Sequence, residues 1–289
     1  MKRKIVLPMK ILLVGGNSFL GKEVERVATA EVNLLIWKIN RCVNILCSHD
    51  LHERAICVNK FGQILSTAIP EFECVYLLST FYSKKENDDQ KIFECNIVFL
   101  SGIVDAFKKY TRKFIYTNSY LALPNKSIQK ISYYAESKKT FSSILNNKIS
   151  KNDIYFDNVY IFDVIGSNDF RKKFLDLAII SSKENKILPA TKGNQLISPI
   201  HVYDAAKSLL SLYHIPKNGI WELKGPESLS LKAYVEKYEK LFDKKLMISW
   251  DIIKLYGDEI FEISSMYPNL CQNYSYDSIE KILKNIYGF

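Results

Sequence analysis

The chain has 289 residues, 47% of them hydrophobic and 25% charged, which supports one large α/β domain or two modest ones and argues against a disordered chain. No stretch reaches the roughly 20 apolar residues of a membrane span, and the run from Ile5 to Val14 is broken by Pro8 and Lys10 and lacks a small-residue cleavage site, so no signal peptide is expected. The net charge of +9 is spread along the whole chain, a pattern of solvated Lys that suits a phosphorylated small ligand and not a nucleic-acid face.

Met9 to Val14 is an apolar run without helical period, ended by Gly15-Gly16, and is predicted as a buried strand. Leu20 to Ala30 has apolar residues at 20, 24, 27 and 28, the spacing of an amphipathic helix. Strands are then expected at Asn33–Ile39 and Asn44–Cys47, a helix over Leu51–Asn59, and a strand at Cys74–Ser79. A long helix follows over Asn87–Tyr110, with Ile92, Cys95, Phe99, Ile103, Ala106 and Tyr110 on one face. Lys113–Thr117 (strand), Ser132–Leu145 (helix) and Asp157–Phe162 (strand) complete an alternation that predicts a Rossmann-type doubly wound parallel sheet. After Gly166 the rhythm changes. Helices at Asp169–Ser181, Tyr203–Tyr213, Leu231–Phe242 and Asp277–Ile286 alternate with isolated strand-like pieces and prolines. The expected division is residues 1–165 for a cofactor domain and 166–289 for a smaller mixed α/β substrate lobe, the two interleaved.

Six cysteines (42, 47, 57, 74, 95 and 271) form no Cys-x-x-Cys pair, and His49 and His52 near Cys47 make only a loose cluster. No metal is expected; reduced thiols in a cytoplasmic protein account for them.

The first strand–helix junction reads Val14-Gly15-Gly16-Asn17-Ser18-Phe19-Leu20-Gly21. A tight glycine turn delivering a helix N-terminus can cradle a pyrophosphate through free N–H groups and the helix dipole. Ser18 stands where a further glycine gives the closest approach to phosphate. Alone, the turn is equally an ordinary glycine-rich βα connection. Tyr-x-x-x-Lys, which puts a phenol and an ammonium on one helical face, occurs three times: Tyr134/Lys138, Tyr203/Lys207 and Tyr213/Lys217. With 18 Tyr and, once the six Arg are removed from the 40 basic residues, 34 Lys, chance supplies about two. Position separates them: Tyr134 opens the helix after the fifth strand, just downstream of Thr117-Asn118-Ser119.

Taken in order, these motifs resemble the extended short-chain dehydrogenase/reductase family of nucleotide-sugar epimerases, dehydratases and reductases. The resemblance implies a catalytic Ser119, Tyr134 and Lys138, with the Lys138 ammonium lowering the phenol pKa. It implies that Gly15, Asn17, Ser18, Phe19, Leu20 and Gly21 hold the pyrophosphate. Asp50-Leu51 would lie beside the adenine, and Leu77-Leu78-Ser79, Tyr134 and Lys138 along the nicotinamide ribose. Val164, in Tyr160–Gly166, would lie at the carboxamide. Arg41, where an acidic residue would hold the ribose of NAD, points to NADP.

The Gly193–Asp204 and Gly219–Ser230 segments resemble the family's later elements, with His201 and Asp204 structural. Two arginines that usually hold the substrate diphosphate are replaced by Ile197 and by Tyr267 before Pro268; Arg171, Lys172, Lys173 and Lys192 are the candidate replacements. Asn118-Ser119 carries no carboxylate, which disfavours a 4,6-dehydratase. The implied function is NADPH-dependent reduction of a keto group on a nucleotide-linked deoxy sugar, a 4-keto sugar, in cell-surface polysaccharide precursor synthesis. The alternatives are a C4-epimerase and a non-catalytic NADP-binding regulator. A cytoplasmic homodimer, paired through the Asn87–Tyr110 and Ser132–Leu145 helices, is the expected assembly.

Overall fold

The computed structural model describes residues 8–31, 33–41, 54–66, 68–83, 86–123, 131–150, 153–254, 259–271 and 277–288. Strands β1 (Met9–Val14), β2 (Leu34–Arg41), β3 (Ala55–Val58), β4 (Cys74–Leu77), β5 (Lys113–Ser119), β6 (Tyr155–Ile161) and β11 (Gly219–Leu223) form one seven-stranded sheet. Its order is β11-β6-β5-β4-β1-β2-β3, and every pairing is parallel. β1 has β2 on one side and β4 on the other, so the chain reverses its winding there. The C-terminal ends of β1 and β4 thus flank the switch-point crevice where doubly wound sheets bind ligands.

Alternation along β1 builds two cores, as a two-residue period requires. Ile11 and Leu13 face α1 (Phe19–Thr29) and α6 (Val202–Leu210), meeting Val24, Ala28, Ala205 and Leu209. Leu12 and Val14 face α3 (Phe99–Phe107) and α4 (Tyr133–Ile149), meeting Phe99, Ile103, Phe141 and Leu145. A third core joins α5 (Phe174–Lys183), α7 (Leu231–Phe242) and α8 (Ile279–Tyr287) through Leu175, Tyr234, Tyr238 and Leu283. Short strands link these elements: β7 (Asp163–Ile165) with β10 (Pro199–His201), β9 (Leu196–Ile197) with β12 (Leu229–Ser230), and β8 (Leu188–Pro189) with β13 (Ile248–Ser249). Within the described residues no helix is long and apolar enough to cross a membrane.

Several expected elements are corrected. The helix over Leu51–Asn59 is in fact strand β3, since Ala55-Ile56-Cys57-Val58 buries a continuous apolar run against β2. The expected strand at Asn44–Cys47 lies outside the described residues. The long helix is α2 (Asp89–Phe93), a π turn over Glu94–Val98 and then α3. Ile92, Phe99 and Ile103 of the expected face are buried, and the extra residue per turn adds Asn96, Leu100, Val104 and Phe107 to it, while Cys95, Ala106 and Tyr110 are half-buried. α5 starts at Phe174 and not Asp169, because Asn168 and Lys172 take left-handed φ values of 63° and 47°, which a helix cannot pass through. Cys57 is disulfide-bonded, against the expectation of reduced thiols, whereas Cys74, Cys95 and Cys271 are free.

Candidate active site

The glycine turn is fixed by close backbone approach. Gly15 has φ +94°, and a Cβ there would fall 2.6 Å from the Ser79 nitrogen; one at Gly21 would fall 2.3 Å from the Gly15 carbonyl oxygen. Ser18 is the N-cap of α1, its Oγ accepting the Gly21 N–H at 3.0 Å. Its side chain is therefore spent on the helix and does not crowd the turn. The other first-turn N–H groups lack intrahelical acceptors, and α1 has no acidic residue in its first turn to compete with an anion.

Arg41 ends β2 and is exposed; its guanidinium lies 3.9 Å above the Phe99 ring, with Nη2 3.4 Å from Ser79 Oγ. Two of the expected cofactor residues, Arg41 and Ser79, are thus brought together across the switch point. Leu77 and Leu78 are buried in opposite cores, so only their backbone is available to a ligand. A second basic residue, missed from the sequence, stands nearer the turn: a Cβ on Gly16 would lie 3.0 Å from Lys38 Cδ, and Lys38 Nζ pairs with Glu25 at 2.9 Å. Asp50 and Leu51 lie outside the described residues and precede β3; the segment that follows β3 is Asn59–Phe61, where Asn59 Oδ1 accepts the Phe61 and Gln63 N–H groups at 2.9 and 3.0 Å.

On the other side of β4, the fully buried β5 ends at Ser119. Ser119 Oγ accepts the Leu121 N–H at 3.3 Å, and the Ser119 and Thr80 hydroxyls lie near enough to the Tyr134 phenol to favour its ionised form. Ser132 caps α4 by accepting the Ala135 N–H at 3.3 Å, which sets Tyr134 in the first turn and Lys138 one turn on. The Tyr134 ring stands edge-on to Tyr82, centroids 4.8 Å apart. Lys138 is 2% exposed, donates to the Thr117 carbonyl at 3.0 Å and lies 6.0 Å from the Tyr134 ring centre.

The electrostatics depart from expectation. Burial raises the Tyr134 phenol above its usual range, and the Thr80 and Ser119 hydroxyls and the Arg171 charge only partly offset this. Burial also brings the Lys138 ammonium down to about 7. Lys138 is not among the groups that lower the Tyr134 phenol here, and desolvation outweighs those that do.

Sequence reasoning also missed Asn96. It is fully buried in the π turn and donates to the Phe81 carbonyl at 3.0 Å and to Ser137 Oγ at 3.1 Å. Its Oδ1 accepts the Phe81 N–H at 2.7 Å. Asn96 thereby ties the Thr80–Phe81 segment to α4 at Ser137, the residue before Lys138. The signal was a lone amide on an otherwise apolar helix face.

A family model described as the NAD dependent epimerase/dehydratase family matches residues 11–222. The chain belongs to that family. It is 22% identical over 214 residues to the CDP-abequose synthase of Yersinia pseudotuberculosis, covering 70% of this chain and 72% of that protein. Among solved structures, the UDP-glucuronic acid 4-epimerase of Bacillus cereus in complex with UDP-glucuronic acid and NAD superposes with a TM-score of 0.79 at 17% identity, over 96% of this chain and 98% of that one. A human epimerase family protein with NADPH superposes at 0.72 and 11% identity, over 96% and 99%. At these identities the superpositions establish the fold.

Within this epimerase/dehydratase scaffold, the four basic candidates for substrate binding are not gathered at one place. Arg171 is held by Asp169, with Nε to Oδ1 at 2.7 Å, and donates to the Val164 carbonyl at 3.1 Å; its guanidinium covers the Phe19 ring at 4.9 Å. It therefore faces the glycine turn. Lys172 is exposed in its left-handed turn. Lys173 turns inward near Asp163, Asp169 and Asp176, and burial lowers its pKa. Lys192 is 64% exposed and 3.9 Å from Asp251. Ile197 pairs with Leu229, and Tyr267 stacks on Tyr160 with centroids 5.8 Å apart. The two other Tyr-x-x-x-Lys pairs are elsewhere: Tyr203 carries Arg26 5.4 Å above its ring, and the Tyr213 hydroxyl donates to Glu31 at 3.3 Å. His201 caps α6 by accepting the Tyr203 N–H at 3.4 Å.

Proposed function

We propose that this protein is an NADPH-dependent reductase of a keto group on a nucleotide-linked deoxy sugar, a 4-keto sugar, in cell-surface polysaccharide precursor synthesis. The observation that carries the reading is the placement of Ser119 at the end of β5 with Tyr134 and Lys138 in the first turns of α4. Arg41 at the end of β2 favours an exchangeable NADP over the tightly held NAD of an epimerase. Family relatives named for nucleotide sugars, the CDP-abequose synthase and the UDP-glucuronic acid 4-epimerase, support the substrate class.

The residues fit a nicotinamide dinucleotide: Gly15 and Gly21 let the turn close directly on Ser79 and on the start of α1, where any Cβ would collide with backbone, and Arg41 offers a cation suited to a 2′-phosphate. When bound, NADPH supplies the hydride. Ser119 Oγ and the Tyr134 hydroxyl hold the carbonyl oxygen, and Tyr134 gives it the proton. Lys138, behind the phenol, orients the ribose and resupplies charge as the phenol loses its proton. Residues 1–165 would hold the cofactor and 166–289 the substrate, with Lys172, Lys173 and Lys192 the remaining candidates for its diphosphate. The working form would be a cytoplasmic homodimer paired through the α2–α3 and α4 helices.

A C4-epimerase is the second reading, favoured by the 4-epimerases among the structural relatives. One experiment decides: the purified protein is assayed for retained nucleotide and then given NADPH with CDP- and UDP-linked 4-keto-6-deoxyhexoses. Single-turnover oxidation of exchangeable NADPH is expected; tightly retained NAD with interconversion of C4 epimers would overturn the reductase reading.

A further inference from the structure

Beyond Ser119 the chain turns at Tyr120 into a small, mostly apolar pocket. Tyr120, Leu123 and Phe162 form one wall and Ile260, Ile263 and Met266 the other, with Ser264 the polar exception. Both walls are fixed. Tyr120 stacks on Phe162, centroids 5.0 Å apart and planes within 14°. The opposite segment is held at one end by the Leu196 N–H, which donates to the Ile260 carbonyl at 2.6 Å. At its other end the Met266 and Tyr267 N–H groups donate to Oε1 of the buried Glu222 at 2.8 and 3.2 Å. Lys224 lies 5.5 Å from the Phe162 ring, is paired with Glu222 at 2.7 Å and donates to Ser265 Oγ at 2.5 Å. Met266 is nonetheless 45% exposed, so apolar surface stands open at the segment that follows Ser119 in the chain, as surface that a ligand covers does.

We propose that this pocket receives the methyl group of a 6-deoxyhexose, making Ile263 and Met266 the selectors against a C6 hydroxyl. The assignment rests on the ketoreductase reading of Ser119 and Tyr134 and names the sugar that site takes. In this assignment C4 is held at Ser119 and Tyr134 and the substituent on the adjacent C5 enters the pocket that opens at Tyr120, the residue after Ser119. A methyl there removes apolar surface from water at no polar cost. A hydroxymethyl would bring its hydroxyl into a lining with only Ser264 to meet it and lose its water partners.

The test uses the full chain with NADP⁺ in the reverse direction. CDP- and UDP-linked 6-deoxyhexoses of the gluco and galacto series are each compared with the 6-hydroxy counterpart. The expected result is a kcat/KM about tenfold to a hundredfold higher for the 6-deoxy member of the accepted pair. Ile263→Ser should shrink that ratio to about threefold or less by supplying a partner for the hydroxyl, while Ile263→Leu keeps it and both variants bind NADP⁺ as the parent does. Comparable kcat/KM for the two members of a pair would overturn the pocket assignment alone. Oxidation of neither member in any pair would overturn the ketoreductase reading, and this assignment with it.

Discussion

The two sides of the cleft are built differently. From β1 to α4, each side chain at the site hangs from the end of a buried parallel strand or from a capped first helical turn: Ser18 on α1, Ser119 on β5, Tyr134 behind the Ser132 cap. Beyond β7 the comparable side chains hang from strands of two or three residues and from left-handed turns at Asn168, Lys172 and Asp251. Long parallel strands have neighbours on both sides and fix positions closely, whereas short pieces are placed by a few side-chain anchors such as Glu222 and Asp169. A family can therefore keep its chemistry on one side while the other is rebuilt, which is what Ile197 and Tyr267 in place of arginines indicate.

The sharpest way to break this comparison is at Tyr134. Tyr134→Phe removes one hydroxyl from the rigid side and should keep the fold and the cofactor while turnover falls by about 10²–10⁴, the usual worth of one acid–base group. Tyr203→Phe, at a chance copy of the same spacing on α6, should change single-turnover rates little. If Tyr134→Phe turns over normally and Tyr203→Phe does not, the catalytic tyrosine has been misplaced.

Next in size is a contrast between two arginines. Arg41 belongs to β2 and would meet only the 2′-phosphate; Arg171 comes from the variable side yet covers Phe19 at the glycine turn. Arg41→Ala should weaken NADP by about 1.5–3 kcal/mol and leave NAD unchanged, the worth of one charge-assisted contact. Arg171→Ala should weaken both cofactors alike, because the pyrophosphate is common to them. Calorimetric titration of both cofactors into both variants checks this, with Lys38→Ala as the test of the second basic residue beside the turn. Equal binding of NAD and NADP by the parent protein would remove the case for Arg41.

How much of this was readable beforehand follows the same division. The β1–glycine–α1 unit, β4, β5 and the Tyr134/Lys138 pair were visible because buried strands and amphipathic helices leave strong periodic patterns. β3 was not, since four apolar residues at a sheet edge carry no period of their own. Asn96 was hidden by the π turn, a one-residue insertion that no 3.6-residue template anticipates. The burial of Tyr134 and Lys138 was not legible because it is made by Tyr82 and Tyr116, which come from separate segments of the chain. Arg171 read as one of a cluster of basic residues, and only the left-handed turn at Lys172 shows that its neighbours point elsewhere.

The buried ammonium makes a prediction about stability and pH. Lys138 has a folded pKa of about 7, below the value of an exposed lysine. Below pH 7 both the folded and the unfolded chain carry the proton. Above it, up to the ordinary lysine range, the unfolded chain holds a proton that the folded chain has released, so stability rises with pH in that window. The gain should be about 2 kcal/mol between roughly pH 7.5 and 9. Lys138→Met should abolish it, a difference between the two urea unfolding midpoints measured at each pH. Equal pH slopes for parent and variant would mean that the ammonium stays fully charged in the fold and that Tyr134 is acidified after all.

The smallest effect sharpens the comparison at its rigid end. Ser18 occupies a position where this type of turn usually has glycine, yet its Oγ accepts the Gly21 N–H and faces the helix. Ser18→Ala should therefore cost about 1 kcal/mol through the lost cap, and Ser18→Gly only a few tenths, since glycine is itself a fair N-cap. Cofactor affinity should stay within about twofold in both, because backbone N–H groups and the helix dipole, not this hydroxyl, would bind the pyrophosphate. Thermal unfolding and cofactor titration on the two variants separate the contributions. A cofactor affinity that falls tenfold in Ser18→Ala while the melting temperature hardly moves would show that the hydroxyl turns outward to the phosphates when the cofactor binds, so that the capping bond must break and this side of the cleft is less rigid than its strands make it.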